Sequence, residues 1–241
     1  MYATVVIPAY NEEDCIGPLL LEVIGACRAL PVREIVLVDD GSADRTHERA
    51  IAASGDNGML RIIRHGRRRG QSRALLTGVR AASHDLIVTL DADGQNDPAD
   101  FAKLFEAYVS QQAQTTRMIV AGQRLDRRDS FIRRISSRIA NRVRSTLLDD
   151  NVRDTGCSLK LFRREDFLEL PFFDHIHRFL PAMMKALGVR VVLVDVGHRP
   201  RTAGLSKYGV WDRLWVGIHD LVGVRWLMKR QVASVELEDV L

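Results

Sequence analysis

The first half of the chain alternates short β-branched runs with longer helical ones, and this alternation restricts the fold more than any other feature. "ATVVIP", "REIVLVDD", "MLRIIRH" and "DLIVTLD" read as strands; "EEDCIGPLLLEVIGACRAL", "ADRTHERAIAAS", "GQSRALLTGVRAAS" and "PADFAKLFEAYVSQQ" read as helices. Strands of about five or six residues separated by helices of about ten or more predict an α/β domain with a mostly parallel sheet and helices on both faces. Ligands of such sheets lie beyond the carboxyl ends of the strands. Three polar clusters fall just past a predicted strand: Tyr10-Asn11-Glu12, Asp39-Asp40 and Asp91-Ala92-Asp93. All three are expected to face one crevice.

The second half is less regular. "RMIVAGQR", "SLKLFRRE" and "VRVVLVDVGHRP" read as further strands, with helices at about 131–148 and near 179–187. "RTAGLSKYG" reads as a loop and "VWDRLWVGIHDLVGVRWLMKR" as a helix. With 241 residues and no repeat or low-complexity linker, the chain suits one large domain with a short appendage. No apolar run of about 18 residues is present, so no transmembrane span is expected, and the opening "MYATVVIPAYNEED" has no leader pattern. Cys15, Cys27 and Cys157 have no metal-ligand spacing and suggest reduced thiols, hence a cytoplasmic setting. The net charge is only +4, yet arginines bunch in "RIIRHGRRRGQSR" and "RLDRRDSFIRRISSRIANRVR", which points to a polyanionic partner.

Asp91 and Asp93 lie one small residue apart, with Gln95 two further on. Carboxylates this close repel unless a proton or a cation relieves them, and hard oxygen ligands suit magnesium or manganese bridging a substrate's phosphates. Ala92 and Gly94 leave little bulk against such a ligand, whereas Asp97 before Pro98 reads as a helix cap. Neither G-x-x-x-x-G-K-[ST] nor G-x-G-x-x-G occurs, so P-loop and dinucleotide-binding readings lack their glycines. His175 and His177 have no third ligand nearby and read as local structure.

Taken together, the motifs resemble the inverting family 2 glycosyltransferases of GT-A fold, in particular their polyprenyl-phosphate (dolichyl-phosphate) mannosyltransferase branch. "VVIPAYNEED" is similar to the P-x-Y-N-E opening, "EIVLVDDGSADRT" to the V-D-D-x-S-x-D-x-T turn, and "DADGQNDP" to the metal-binding D-A-D-x-Q-x-x-P. "AGQR", "RRISSRIAN", "DTGCSLKLFRRE" and "RTAGLSK" follow in order. The resemblance implies that Pro8, Tyr10, Glu12, Val38 and Asp40 hold the nucleotide, that Asp91, Asp93 and Gln95 ligate Mg2+ or Mn2+, and that Ala92 lines the sugar-nucleotide site. It assigns phosphate groups to Arg124, Arg133 and Ser137, and to Arg201 and Lys207 on a closing loop. Its catalytic set is Asp91, Asp93 and Arg124. The implied reaction moves a sugar, mannose from GDP-mannose foremost, to a polyprenyl phosphate. "GCS" and "GQR" depart from the commoner glycine-serine-glycine and G-S-R, and both touch the sugar pocket.

The acceptor can also be argued from chemistry. A hydroxyl needs a general base, which related enzymes take from an E-D pair; this region reads Asp154-Thr155-Gly156. A phosphate monoester, with its second pKa at about 6, arrives ionised and needs cations instead. Two other readings are a transferase acting on a sugar or protein hydroxyl and a non-catalytic polyanion-binding module; nucleic acid is not expected as a partner. Residues 1–208 form the expected catalytic domain and 209–241 an amphipathic helix and tail. Trp211, Leu214, Trp215, Ile218, Leu221 and Val222 fall at helical spacing. That stripe suits packing on the sheet, docking at the inner membrane face, or a small membrane protein.

Overall fold

The computed structural model describes residues 1–55, 58–124, 144, 147, 148, 152, 154–200 and 210–230, with residues 210–218 described by their backbone alone. Its centre is a seven-stranded sheet. In chain order the strands are β1 (Ala3–Ala9), β2 (Val32–Asp39), β3 (Leu60–Arg64), β4 (Leu86–Thr89), β5 (Met118–Arg124), β6 (Lys160–Arg163) and β7 (Arg190–Val196). The helices are α1 (Ile16–Cys27), α2 (Thr46–Ser54), α3 (Gln71–Ala81), α4 (Phe101–Gln112), α5 (Arg164–Leu168), α6 (Leu180–Ala186) and α7 (Val210–Arg230).

The strand order is β3-β2-β1-β4-β6-β5-β7. Neighbours pair in parallel except at β6, which runs antiparallel to both β4 and β5. β1, the middle of the parallel half, is buried at every position but Pro8, as a strand covered on both faces must be. Its side chains alternate between two cores. Val5 and Ile7 join Leu20, Leu104 and Phe101 under α1 and α4, whereas Val6 joins Leu75, Ile87, Phe162 and Met183 under α3 and α6. α3 lies close on the sheet because Gly78 has no side chain: a Cβ there would run into Val6 and press on Val38.

Helix boundaries follow local chemistry. Asp97 Oδ1 accepts the Ala99 amide at 2.9 Å, and Pro98 opens the 3-10 turn that leads into α4, as the sequence predicts. The strand expected from "SLKLFRRE" is shorter than the quoted run: its Arg164-Glu165 end opens α5, where the two acids of the first turn suit a helix N-terminus.

The second half of α7 docks on the domain. Val224 is buried, and Leu221, Leu227 and Met228 pack against the core under α3 and α6. Asp220 Oδ2 meets His175 Nδ1 at 2.8 Å, and Arg225 donates to the Leu147 carbonyl at 2.6 Å. Of the stripe expected from the sequence, Leu221 turns inward but Val222 is 65 % exposed, because the inward face continues through 224 and 228. Among the described residues no helix is long and apolar enough to cross a membrane.

Candidate functional site

The carboxyl ends of β1, β2 and β4 are adjacent, and their polar clusters form one edge. The turn after β1 is locked to the turn after β2. Asn11, in a left-handed conformation (φ 54°), donates its amide to Ser42 Oγ at 3.0 Å and accepts the Ala43 amide at 2.9 Å; the Glu12 amide reaches Thr46 Oγ1 at 2.8 Å. This reciprocal clamp gives Asn11, Ser42 and Thr46 a structural role in joining the two strand ends.

The acids of β2 are consumed internally. Asp39 accepts the Ser42 amide at 2.9 Å and pairs with Arg64 at 3.1 Å. Asp40, almost fully buried, meets His65 Nδ1 at 2.7 Å and accepts the backbone amides of Arg69 at 2.8 Å and Gly70 at 2.7 Å. It thereby ties down the arginine-rich loop between β3 and α3. Gly41 permits the approach: its φ is +72°, and a Cβ there would lie 2.7 Å from the Arg67 backbone. The same loop sets the Arg68 guanidinium 4.5 Å from the centre of the Tyr10 ring.

After β4, Asp91 accepts Gln71 Nε2 at 2.7 Å, and Asp93 accepts the Gln95 amide at 3.2 Å across the Gly94 turn (φ +71°). Burial first, and then the Asp93 charge, push the Asp91 carboxyl up to about 6. Two mutually repelling carboxylates beside an amide make an all-oxygen donor set that fits a divalent cation. Among the described residues there is no group of three or more His, Cys, Asp or Glu that could hold a metal ion.

A third segment reaches this edge from 154–158, ahead of β6. Ser158 Oγ accepts the Asp91 amide at 2.9 Å and Asn96 Nδ2 at 2.8 Å, while its carbonyl accepts Thr89 Oγ1 at 2.5 Å. Asp154 takes a two-pronged grip from Arg124, at 2.5 Å from Nε and 2.8 Å from Nη2. Arg124 thus holds a carboxylate rather than facing the edge alone.

Below Asp91, on the α3 side of the sheet, lies a cavity of about 240 Å³ bounded by Pro8, Gln71, Thr89, Lys160 and His177 with Arg178 alongside. His177 meets Ser72 Oγ at 2.9 Å, and burial, followed by the charges of Arg178 and Lys160, pulls its pKa down to about 3, so it is neutral. Ser158, Asn96 and Lys160 were not singled out from the sequence, and His177 reads there as local structure. Asn96 and Ser158 stand inside quoted motifs, but only the fold brings them together, and the spacing of His175 and His177 gives no hint that one faces a cavity.

The other expected residues divide clearly. Pro8 borders the cavity and Tyr10 and Glu12 stand at the edge, whereas the side chains of Val38 and Ala92 are packed in the hydrophobic core. Any contact of these two with a nucleotide would be through their backbone. Arg133, Ser137, Arg201 and Lys207 lie outside the described residues.

Residues 4–170 match the family model for glycosyl transferase family 2. The chain is 36% identical over 231 residues to dodecaprenyl-phosphate galacturonate synthase of Rhizobium johnstonii, covering 94% of this chain and 67% of that protein. It is 34% identical over 224 residues to undecaprenyl-phosphate 4-deoxy-4-formamido-L-arabinose transferase of Edwardsiella ictaluri, covering 92% and 67%. The chain thus spans about two thirds of the length of these relatives. Among solved structures, glucosyl-3-phosphoglycerate synthase from Mycobacterium tuberculosis with Mg2+ and UDP superposes with a TM-score of 0.67 at 21% identity, covering 94% of this chain and 78% of that one. Mannosyl-3-phosphoglycerate synthase from Rubrobacter xylanophilus gives 0.67 at 16%, covering 100% and 78%. These likenesses establish the GT-A fold. With its strand-end clusters in one edge and a family match across most of its length, the chain belongs to glycosyl transferase family 2.

Proposed function

We propose that this protein transfers a sugar from a nucleotide-diphosphate donor to a polyprenyl phosphate, without a dedicated general base, at the inner face of a membrane to which it binds peripherally. The observation that carries the reading is the Arg124–Asp154 grip. By the sequence resemblance, Asp154 lies in the region where hydroxyl-transferring relatives carry their E-D pair, and its carboxylate is held on both oxygens by a guanidinium. A carboxylate so neutralised is a poor proton acceptor, and an ionised phosphate acceptor needs none. The names of the similar relatives, with dodecaprenyl and undecaprenyl phosphate in them, agree. Asp91, Asp93 and Gln95 would hold Mg2+ or Mn2+, which offsets the charge that grows on the diphosphate leaving group. Tyr10, Glu12 and the loop tied to Asp40 frame the nucleotide. Mannose is the sugar the motifs suggest, whereas the relatives are named for galacturonate and 4-deoxy-4-formamido-L-arabinose, so the donor screen must include all three.

The test is transfer of labelled sugar to a short prenyl phosphate by the purified protein. Chelation or Asp93→Ala is expected to lower the rate by roughly 100-fold or more. Unchanged turnover after either, or transfer to a free sugar hydroxyl in preference to the phosphate, would refute the proposal.

A further inference from the structure

We infer that the cavity below Asp91 selects a donor sugar that carries a carboxylate, a hexuronic acid, with Lys160 as its counter-ion. The inference rests on the transferase reading above and names the substrate class of that site. Lys160 opens β6 opposite Thr89, and both point to the α3 side of the sheet, where Pro8 of β1 also lies. The lysine is 3% exposed. Its ammonium donates to the Cys157 carbonyl, and no carboxylate among the described residues lies within ion-pair distance of it.

A buried ammonium costs several kcal/mol in lost hydration, which a single carbonyl acceptor does not restore. Burial accordingly pulls its pKa down, against the upward pull of Cys157, Asp91 and Asp154. Arg178 borders the same cavity, and its charge and that of Lys160 both act on His177. Asp91, the one acid on the wall among the described residues, is engaged by Gln71 and is one of the pair proposed to hold a cation. With that acid bound to a cation, the described lining leaves the Lys160 amine and the Arg178 guanidinium beside a neutral histidine. A neutral hexose would leave the Lys160 ammonium as it is. A carboxylate at the sugar's C6 would supply the missing counter-charge.

The experiment compares donors that differ only at C6: UDP-galacturonate against UDP-galactose, and UDP-glucuronate against UDP-glucose, with Mg2+ and the intact protein. Calorimetry is expected to show the uronate bound at least about tenfold tighter within each pair, as close desolvated charge pairs provide. Lys160→Met should abolish that ratio and Lys160→Arg should keep it. Arg178→Gln, at an exposed position and independent of the core, should reduce it. A wild-type ratio of one or less would overturn the inference. So would a Lys160→Met protein that binds both members of a pair equally more weakly, or one whose only defect is a raised KM for prenyl phosphate. Transfer to a short prenyl phosphate is measured in parallel. A preserved uronate preference without transfer supports the cavity's role while removing the acceptor assignment.

Discussion

Replacing Asp40 by asparagine tests whether this acid acts on the nucleotide directly or by holding a loop. In the structure one carboxylate oxygen meets both His65 and the Arg69 amide, and the other accepts the Gly70 amide. An asparagine can place its oxygen on the first side and keep two of the three contacts. Its NH2 then faces the Gly70 N–H, donor against donor, in a site almost closed to water. A lost hydrogen bond to a charged group is worth about 1.5–3 kcal/mol, so Asp40→Asn should destabilise the fold by about 2–3 kcal/mol. Asp40→Ala, which strands two backbone donors and His65, should cost about 4–6 kcal/mol on the same scale. Urea unfolding followed by circular dichroism measures both. Titration of UDP and GDP into folded Asp40→Asn should show weakened affinity in step with the loosened loop, and His65→Ala should weaken it in the same direction. A stability loss below about 0.5 kcal/mol, within the range of ordinary surface changes, with nucleotide affinity nonetheless lost, would refute the loop argument and make Asp40 a direct ligand.

Other outcomes follow from particular contacts. Glu34 accepts Thr4 Oγ1 at 2.8 Å and the Ser83 amide at 2.8 Å; burial alone would push its pKa up, but these bonds hold it below its ordinary 4.5. The stability it contributes is therefore present above the unfolded value and lost as pH falls through the lower folded one, and Glu34→Gln should flatten that acid limb in melts taken from pH 5 to 3. Gly78→Ala should destabilise by about 1–3 kcal/mol through overpacking on Val6 and Val38, seen as a lowered Tm; an unchanged Tm would mean that α3 can lift off the sheet freely. Because burial and Asp93 push the Asp91 carboxyl up to about 6, Mn2+ affinity should fall by about tenfold per pH unit below that point, with up to one proton released per ion bound there and none well above it. Calorimetry in buffers of different ionisation enthalpy reads that proton directly, and a pH-independent affinity would contradict it.

The parallel half of the fold was plain in the sequence because its local signals agree. β-branched runs of strand length, helical periodicity between them and a capping Asp-Pro all point one way. So did the gathering of three polar strand ends at one edge, which needs only the rule that parallel strands share a direction. What sequence reasoning missed depends on a single reversed strand. β6 is four residues long, and nothing in "KLFR" states its direction or that it lies between β4 and β5. Without that placement, Ser158 cannot be put against Asp91, nor Lys160 and His177 in one cavity. The inward side chains of Val38 and Ala92 were hidden from sequence reasoning for another reason. A motif names a position but does not say which way its side chain points, and at both positions the pleat or turn aims it into the core.

The reversed strand also governs when in the life of the chain the site exists. In a parallel sheet each strand brings its outgoing loop to the working edge; β6, running the other way, brings the residues that come before it. The strand-end clusters proposed to frame a nucleotide are encoded before residue 100, but the cavity below Asp91 takes the rest of its described wall from residues 155–160 and 177–180. On the proposed function, the groups that would hold a donor's nucleotide are thus encoded well ahead of those that would meet its sugar.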